Sequence, residues 1–152
     1  MFEIDPAFLA TSHAVGELGL CHVRLQDDAR WPWLVLIPRV SSARELEDLS
    51  TQACQTLMSE IILAGQAVRR LGAQVEKLNV GALGNITPQL HVHVVGRWRG
   101  DAAWPGPVWG VLGGEPYGAE LQKRLLAAAA ALDVKPRDAQ SVGKGARNKR
   151  IG

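Results

Sequence analysis

The sequence has few cysteines and no long apolar run, and each shortage excludes a class of protein. Cys21 and Cys54 are the only two cysteines in 152 residues, which is too few for a disulfide framework, and their spacing does not fit a zinc knuckle. No uninterrupted apolar stretch approaches the roughly 20 residues that a membrane-spanning helix needs. Residues 1–6 are acidic and lack the pattern of a signal peptide. We therefore expect a reduced, cytoplasmic protein.

Charge is distributed unevenly along the chain. Residues 135–152 contain six Lys and Arg and one Asp, a charge of +5, so the preceding 134 residues carry −3 of the total of +2. Because this stretch is also poor in apolar residues, we predict a basic, disordered tail. A solvated flexible end is a simpler interpretation than a nucleic-acid contact. With 47% hydrophobic residues overall, residues 1–134 fit a single domain with its own core.

Apolar patterning predicts a domain that mixes strands and helices. Stretches of apolar and β-branched residues predict strands over residues 20–25, 33–37, 75–82 and 89–95. The polar stretch 26–30 joins the first two as a hairpin, which Pro38 ends. Residues 100–114 predict an irregular loop, and 117–132, with an Ala run, a C-terminal helix. We predict an α+β fold in which a long helix covers one face of an antiparallel sheet.

The long helix is predicted between the hairpin and the second pair of strands. Ser42 is a good N-cap, and Glu45 three residues later completes a capping box. Apolar residues then recur in steps of three and four along one buried stripe: Leu46, Leu49, Ala53, Leu57, Ile61, Ala64, Val68 and Leu71. Gly72 follows the stripe as a candidate C-cap.

Histidine is also scarce, with four residues in the chain, and two of them share one short predicted strand. Side chains alternate between the two faces of a strand, so one set points into a core: Leu90, Val92 and Val94. Gln89, His91 and His93 then point together to the opposite face. Two solvated histidines on an open sheet face would give the same pattern, but a half-buried strand has little structural reason to pair imidazoles.

Two adjacent imidazoles support two kinds of chemistry. They can ligate a metal ion, but further ligands are needed, and no acidic residue lies near the strand before Asp101. They can also act on a phosphate, one as nucleophile and the other as hydrogen-bond donor. Asn79, Gly84 and Asn85 supply amide and backbone donors just before the strand. A Gly-Asn pair is also a common turn, so this second signal is weak when taken alone.

The same region resembles the signature of the histidine triad family, His-φ-His-φ-His-φ-φ with φ apolar. Six of the seven positions match in Gln89-Leu90-His91-Val92-His93-Val94-Val95, where Gln89 replaces the first histidine. The family's hairpin ends in an apolar run followed by a proline and a basic residue. The stretch Trp33-Leu34-Val35-Leu36-Ile37-Pro38-Arg39 is similar to it. The resemblance covers roughly residues 15–110 and looks closest to bacterial members with Gln at the first motif position.

The resemblance implies a nucleotide hydrolase or nucleotidyl transferase that forms a covalent nucleotidyl-histidine intermediate. His91 matches the family's nucleophile, and the main-chain carbonyl of Gln89 would hold its other N–H. His93 matches the last motif histidine, which hydrogen-bonds phosphate oxygens. Gln89 therefore belongs to the catalytic set through its carbonyl, although its side chain cannot donate a proton as an acid.

A substrate-binding set also follows from the resemblance: Asn79, Gly84, Asn85, Thr87 and Asp28. The two asparagines match positions that reach phosphate in relatives, with turn capping as the structural alternative. Asp27 or Asp28 would hold ribose hydroxyls. Some branches place a serine three residues before the motif to assist the leaving group, and here Ile86 stands at that position.

Three functions stay open at this point. The first is a homodimeric enzyme that acts on dinucleoside polyphosphates or nucleoside phosphoramidates without an obligatory metal or other cofactor. The second is a non-catalytic nucleotide-binding module, because Gln89 replaces a histidine. The third, less favoured, is a metal-dependent enzyme that uses His91 and His93 as ligands. Trp31 and Trp33 are expected in the core or at a subunit contact, with base stacking as the alternative.

Overall fold

The computed structural model describes residues 1–137, and their central element is a five-stranded sheet with the order β1-β2-β3-β5-β4. Its strands are β1 (Ser12–Glu17), β2 (Cys21–Gln26), β3 (Trp33–Pro38), β4 (Lys77–Gly81) and β5 (Val92–Arg97). All neighbouring strands pair antiparallel. The predicted α+β class and antiparallel sheet are confirmed, and β3 lies at the centre of the sheet.

The helices are α1 (Pro6–Thr11), α2 (Thr51–Leu71) and α3 (Leu121–Leu132). Single turns of 3₁₀ helix at Leu46–Asp48 and Gly118–Glu120 precede α2 and α3. α2 packs against β3 and β5, while α3 packs against α2 and β1, so the long helix covers one face of the sheet as predicted. Within residues 1–137, no helix is both long enough and apolar enough to cross a membrane.

The centre of the sheet is buried on both faces, as β3 shows. Every residue of β3 is buried. Leu34 and Leu36 belong to the cluster beneath α2 and α3, whereas the alternate residues Trp33, Val35 and Ile37 belong to a second cluster on the opposite face. A strand that is buried on both faces needs apolar residues throughout, which explains why this stretch lacks polar alternation.

The opposite face is covered by two segments that flank the sheet in sequence. The N-terminal residues bring Phe2, Ile4 and Phe8 to the second cluster, and the loop after β5 brings Val108 and Trp109. That loop is irregular, as predicted. The sequence prediction missed α1, which has fewer than two helical turns, and β1, in which Val15 is the one β-branched residue.

The predicted start of the long helix is wrong. Ser42 adopts a left-handed φ of 64°, and the helix begins only at Thr51, with the hydroxyl of Ser50 accepting from the Ala53 N–H at 3.1 Å. The predicted box between Ser42 and Glu45 is also wrong, because Glu45 is itself the N-cap of the 3₁₀ turn and forms its capping box with Asp48. A capping box marks the start of a helix without fixing its length, so the sequence did not separate the two elements.

The apolar stripe of α2 is confirmed from Leu57 onward. Leu57, Ala64, Val68 and Leu71 are buried, whereas Leu46 lies in the 3₁₀ turn and is exposed. Gly72 caps the helix by donating its N–H to the Val68 carbonyl at 3.2 Å, in an extended conformation.

The last two predicted strands are shorter in the structure. β4 spans Lys77–Gly81 and β5 begins at Val92 rather than at residue 89. The Leu90 N–H donates to the carbonyl of Ala43 at 2.9 Å, so Leu90 bonds to the chain before α2 and not to β3. The predicted C-terminal helix likewise begins at Leu121, after its 3₁₀ turn.

Most of the predicted basic tail, residues 138–152, lies outside the described residues. Arg137 itself is described and lies against β1. Its main-chain N–H donates to the Val15 carbonyl at 3.4 Å, and its Nη2 lies 2.8 Å from Oε1 of Glu17. The division of the chain at residue 134 stays a prediction.

Candidate active site

A cavity of about 590 Å³ opens on the sheet face opposite α2, a size typical of small-molecule sites. Four parts of the chain build its walls: α1, the turn after β2, the loop before β5 and the loop around Trp109. β3 and β5 form its floor with Trp33, Val35 and His93. The cavity therefore lies where the second apolar cluster meets the histidine stretch.

His91 lies in this cavity with its tautomer fixed by the main chain. Its Nδ1 is 2.7 Å from the carbonyl oxygen of Gln89. A carbonyl oxygen only accepts, so Nδ1 carries the proton and Nε2 of the neutral ring keeps a lone pair. The residue is 7% exposed, so the ring is held in place and reached from the cavity. This is the carbonyl contact that the sequence resemblance predicts.

His93 carries its proton on the other nitrogen. The indole Nε1–H of Trp33 donates to Nδ1 of His93 at 3.0 Å. Since indole is a donor only, Nδ1 must hold the lone pair, and the proton of the neutral ring is on Nε2. In the β3–β5 register His93 is opposite Val35, and Trp33 is two residues away on the same face, which brings the two side chains together.

Aromatic rings enclose the His93 imidazole. The ring centroids of His91, Trp33 and Trp109 lie 4.8, 5.6 and 5.7 Å from it. Burial lowers the pKa of His93 from 6.5 to about 4, and the neighbouring His91 adds to the lowering. His93 therefore stays neutral at neutral pH and keeps its Nε2–H as a hydrogen-bond donor.

Most of the predicted substrate-binding residues line this cavity: Asp28, Gly84, Asn85 and Thr87. Gly84 adopts a φ of 69°, which favours glycine and lets the loop before β5 turn back towards the histidines. Ile86 also lines the cavity and is 96% exposed. An apolar side chain thus stands at the rim where some relatives place a serine.

The structure distinguishes the two neighbouring aspartates. Asp28 lines the cavity and is paired with Arg30, whose Nη2 lies 2.7 Å from Oδ2 and whose Nε lies 2.9 Å from Oδ1. Asp27 points elsewhere, accepting from the Tyr117 N–H at 2.9 Å and contacting His13 at 3.0 Å. The carboxylate of Asp28 is largely occupied by Arg30, so it meets a ligand only together with that guanidinium.

Asn79 does not line the cavity. Its Oδ1 accepts from Nη1 of Arg97 at 2.7 Å, and Arg97 is 1% exposed. The same guanidinium binds Asp101 at 2.7 Å and the Gly106 carbonyl at 2.8 Å. Burial alone would raise the pKa of Asp101, but hydrogen bonds from Arg97 and main-chain amides outweigh it and hold that pKa well below its usual range. Asn79 therefore supports the loop after β5.

The side chain of Gln89 also points away from the cavity. Its Oε1 accepts from the Asp5 N–H at 2.9 Å, and its Nε2 donates to the Glu3 carbonyl at 2.8 Å. Only the main-chain carbonyl of Gln89 takes part in the site, through His91. The catalytic role predicted for Gln89 is thus confined to its backbone.

Sequence reasoning missed several residues that line the cavity, among them Phe8, Arg30 and Trp109. Phe8 and Trp109 come from irregular or very short elements, which carry no periodic signal. Trp31 is 1% exposed and lies in the second cluster, as expected for a core residue. Within residues 1–137, no three His, Cys, Asp or Glu side chains are placed to share a metal ion.

Comparison with known proteins identifies the family. The HIT (histidine triad) domain model matches residues 8–100, more than half of the chain. The chain belongs to the histidine triad family. This superfamily comprises nucleotide-binding hydrolases and transferases. No curated protein gives a match.

Bacterial histidine triad structures share both the sequence and the fold. The protein from Marinobacter aquaeolei VT8 is 42% identical, with a TM-score of 0.81, over 87% of this chain and 96% of that chain. The protein from Sinorhizobium meliloti 1021 is 40% identical, with a TM-score of 0.79, over 88% and 96%. The one from Bradyrhizobium japonicum is 38% identical, with a TM-score of 0.81, over 86% and 98%. The histidine triad fold therefore extends over nearly all described residues.

The position of Asn79 gives a first testable prediction. Asn79→Ala leaves a buried charged donor of Arg97 without its acceptor, which we expect to lower the free energy of unfolding by about 1–3 kcal/mol. Nucleotide affinity should stay unchanged, because the side chain lies outside the cavity. Asn85→Ala is the matched control and should show the reverse, weaker nucleotide binding with little loss of stability. Urea unfolding and AMP titration measure both; weakened AMP binding by a fully folded Asn79→Ala would contradict the assignment.

The lowered pKa of His93 gives a second prediction. Below pH 6.5 the unfolded chain is protonated at this position, whereas the folded chain stays neutral down to about pH 4. The free energy of unfolding should therefore fall as the pH is lowered through this window, by as much as about 3 kcal/mol from this residue.

His93→Asn keeps an acceptor for Trp33 but removes the titration, so its stability should depend less on pH between these limits. The pKa of His22 is also lowered by burial. Because His22 is present in both proteins, its contribution to the pH dependence cancels when they are compared. Urea unfolding at about pH 7.5 and about pH 4.5 measures the difference. Identical pH dependence in the two proteins would show that His93 is not held neutral.

Proposed function

We propose that this protein cleaves nucleotide conjugates at the α-phosphate through a covalent nucleotidyl intermediate on His91. The opposite protonation of two adjacent rings carries the proposal: a lone pair on Nε2 of His91 and a proton on Nε2 of His93. A nucleophile needs the lone pair, and phosphate oxygens that gain negative charge in the transition state need the donor. Membership of the histidine triad family supports a nucleotide as the ligand.

The reaction has two displacements. In the first, Nε2 of His91 attacks the α-phosphorus, a P–N bond forms and the bond to the leaving group breaks. The leaving group keeps the electron pair and takes its proton from water, because Gln89 carries no acid. In the second, water, or an acceptor in a transfer reaction, attacks phosphorus and breaks the P–N bond, which restores His91. The Gln89 carbonyl holds the Nδ1 proton throughout and stabilises the charge that forms on the ring.

Phosphate contacts other than the histidines come from the loop before β5. Gly84, Asn85 and Thr87 line the cavity, and their amides and hydroxyl are suitable donors to an anion. Asp28 acts on the ribose only alongside Arg30, with which its carboxylate is paired. The same histidine pair is a poor metal site. Nε2 of His93 bears a proton, and the lone pair on its Nδ1 already accepts the hydrogen bond from Trp33.

The charge of the cavity favours conjugates with a single phosphate. Among the described residues that line it, Arg30 is the only lysine or arginine, and Asp28 neutralises that charge at 2.7 Å. His93 adds no positive charge at neutral pH, because burial lowers its pKa to about 4. The several negative charges of a dinucleoside polyphosphate would therefore lack counter-charges in a partly desolvated site. We infer that nucleoside phosphoramidates are better substrates than dinucleoside polyphosphates.

We also propose a homodimer, and the edge of the sheet offers a surface for it. β4 is an edge strand, whose outer backbone groups are open to pairing with another chain. Val80 on this strand is 48% exposed, and Leu83 just after it is 41% exposed. Exposed apolar side chains beside an open edge are typical of an interface between copies of one chain.

The covalent intermediate is directly testable with adenosine 5′-phosphoramidate. Protein that is quenched during turnover should carry an added AMP mass on the peptide that contains His91, and His91→Asn should lose both the adduct and turnover. His13→Asn removes an imidazole outside the cavity and should retain both. If the parent protein binds AMP but neither turns over nor forms an adduct, the protein is a nucleotide-binding module and the proposal is wrong. Turnover that depends on a bound metal would favour the metal-dependent alternative.

Substrate preference follows from the charge of the cavity. The specificity constant kcat/KM should be at least about tenfold higher for adenosine 5′-phosphoramidate than for diadenosine tetraphosphate, because the tetraphosphate brings unpaired charges into the cavity. Val111→Lys, which adds a cation to the cavity wall, should narrow that ratio. A tetraphosphate preference in the parent protein would contradict the charge argument without affecting the nucleophile.

The dimer proposal is tested by sedimentation equilibrium. The parent protein should sediment with twice the mass of one chain, and Val80→Lys on the edge strand should shift it towards the monomer, since a charge in an apolar interface is costly. The exposed helix residue Ile62 provides the control Ile62→Lys. A parent protein that stays monomeric at high concentration would overturn this part of the proposal.

A further inference from the structure

The carboxamide of Gln89 forms a two-point contact with the N-terminal segment. It accepts from the Asp5 N–H at 2.9 Å and donates to the Glu3 carbonyl at 2.8 Å. These two main-chain groups lie two residues apart, so the carboxamide pairs with extended chain much as a neighbouring strand does. The contact joins positions more than 80 residues apart in sequence. We call it the Gln89 clasp.

The clasp leads directly into α1. Asp5 accepts the Ala7 N–H on its side-chain Oδ1 at 2.9 Å and is the N-cap of the helix. At the other end, the Ser12 hydroxyl donates to the Phe8 carbonyl at 2.6 Å. Phe8 is 6% exposed and belongs to the second apolar cluster. The segment is therefore fixed by the clasp before the helix and by β1 after it.

α1 is a wall of the cavity, and its aromatic residue touches the proposed nucleophile. Ala7, Phe8 and Thr11 line the cavity. The Phe8 ring meets the His91 ring at a centroid distance of 4.8 Å and an interplanar angle of 73°. His93 lies at the same centroid distance from His91. His91 is therefore flanked by two rings, and one of them depends on the N-terminal segment.

A histidine at position 89 could not make the same contact. The clasp needs a donor and an acceptor side by side, facing one stretch of main chain. A primary amide offers both on one carbon, whereas the two nitrogens of an imidazole point away from each other. Replacing the first histidine of the motif by glutamine thus removes an imidazole and gains an anchor, while the main-chain carbonyl that orients His91 is unaffected.

We propose that Gln89 is a positioning residue that holds residues 3–11 as a wall of the nucleotide cavity and keeps Phe8 against His91. The clasp sets how a substrate fits, so it acts on KM more than on kcat. The kinetic part rests on the proposed function, whereas the clasp and the Phe8 contact are properties of the free protein. The two parts can therefore fail separately.

The test compares Gln89→Glu with the matched surface control Gln55→Glu, since Gln55 is exposed on α2. Gln89→Glu keeps the acceptor for Asp5 but turns an oxygen towards the Glu3 carbonyl in place of the Nε2–H donor. Hydrogen exchange of the free, full-length protein should become at least about tenfold faster over residues 3–8 while β3 and β5 stay protected. Unchanged exchange over residues 3–8 would overturn the clasp.

The Phe8 contact is read from the ring C–H signals of His91 in ¹H–¹³C spectra. In Gln89→Glu these signals should move towards their positions in Phe8→Ala, because both changes remove the same neighbouring ring. With adenosine 5′-phosphoramidate, KM should rise at least about fivefold while kcat stays within about twofold. His91 signals that do not move, or a fall in kcat at constant KM, would overturn the wall role.

A substitute variant and a double-mutant comparison complete the test. Gln89→Met, which is nearly isosteric and loses both hydrogen bonds, replaces Gln89→Glu if that variant does not fold. The effects of Gln89→Met and Phe8→Ala on KM should be non-additive, because both act through one wall; additive effects would contradict the proposal. If the parent protein shows no turnover, the proposed function fails, and exchange and the His91 signals still decide the clasp.

Discussion

The site depends on two hydrogen bonds that assign different protons to two adjacent histidines. The Gln89 carbonyl takes the Nδ1–H of His91 at 2.7 Å, and the Trp33 indole gives its N–H to Nδ1 of His93 at 3.0 Å. An acceptor-only group and a donor-only group leave each ring one neutral tautomer. The two Nε2 atoms therefore differ, since one has a lone pair and the other a proton. Nucleophilic attack on a phosphate and stabilisation of its oxygens need this difference.

The rest of the fold holds these two hydrogen bonds in place and shields them from solvent. β3 is buried on both faces, so Trp33 is packed into an apolar cluster that also fixes its indole. The buried Arg97 links β5 to Asp101 and Gly106, and so supports the loop that carries Trp109 over His93. The Gln89 clasp holds α1 in place and so keeps Phe8 against His91. Burial then keeps His93 neutral, as the pKa of about 4 indicates.

Much of the fold and the centre of the site could be predicted from the sequence. The apolar run of β3, the stripe of α2 and the alternation around His91 and His93 are apolar patterns that report directly on burial. The predicted start of α2 is wrong because the capping box at Glu45 belongs to a 3₁₀ turn that precedes the helix. Nothing local distinguishes that turn from the first turn of a long helix.

The sequence does not predict several contacts between distant parts of the chain. Asn79 follows a phosphate-binding pattern in sequence, yet its partner is Arg97 on the neighbouring strand. In the sequence Gln89 replaces a motif histidine, and only the structure shows that its carboxamide bonds to Glu3 and Asp5. Trp33 is buried in the second cluster, as the sequence predicts for a core residue, but its N–H donation to His93 is not predicted. Such partners are set by register and loop packing, which a single sequence does not encode locally.

The protonation of the two imidazoles tests the central claim most directly. Long-range ¹H–¹⁵N spectra of the ligand-free protein at neutral pH report which nitrogen of each histidine carries the proton. The account predicts a protonated Nδ1 with a bare Nε2 in His91, and a bare Nδ1 with a protonated Nε2 in His93. The same tautomer in both rings, or a doubly protonated His93, would contradict it.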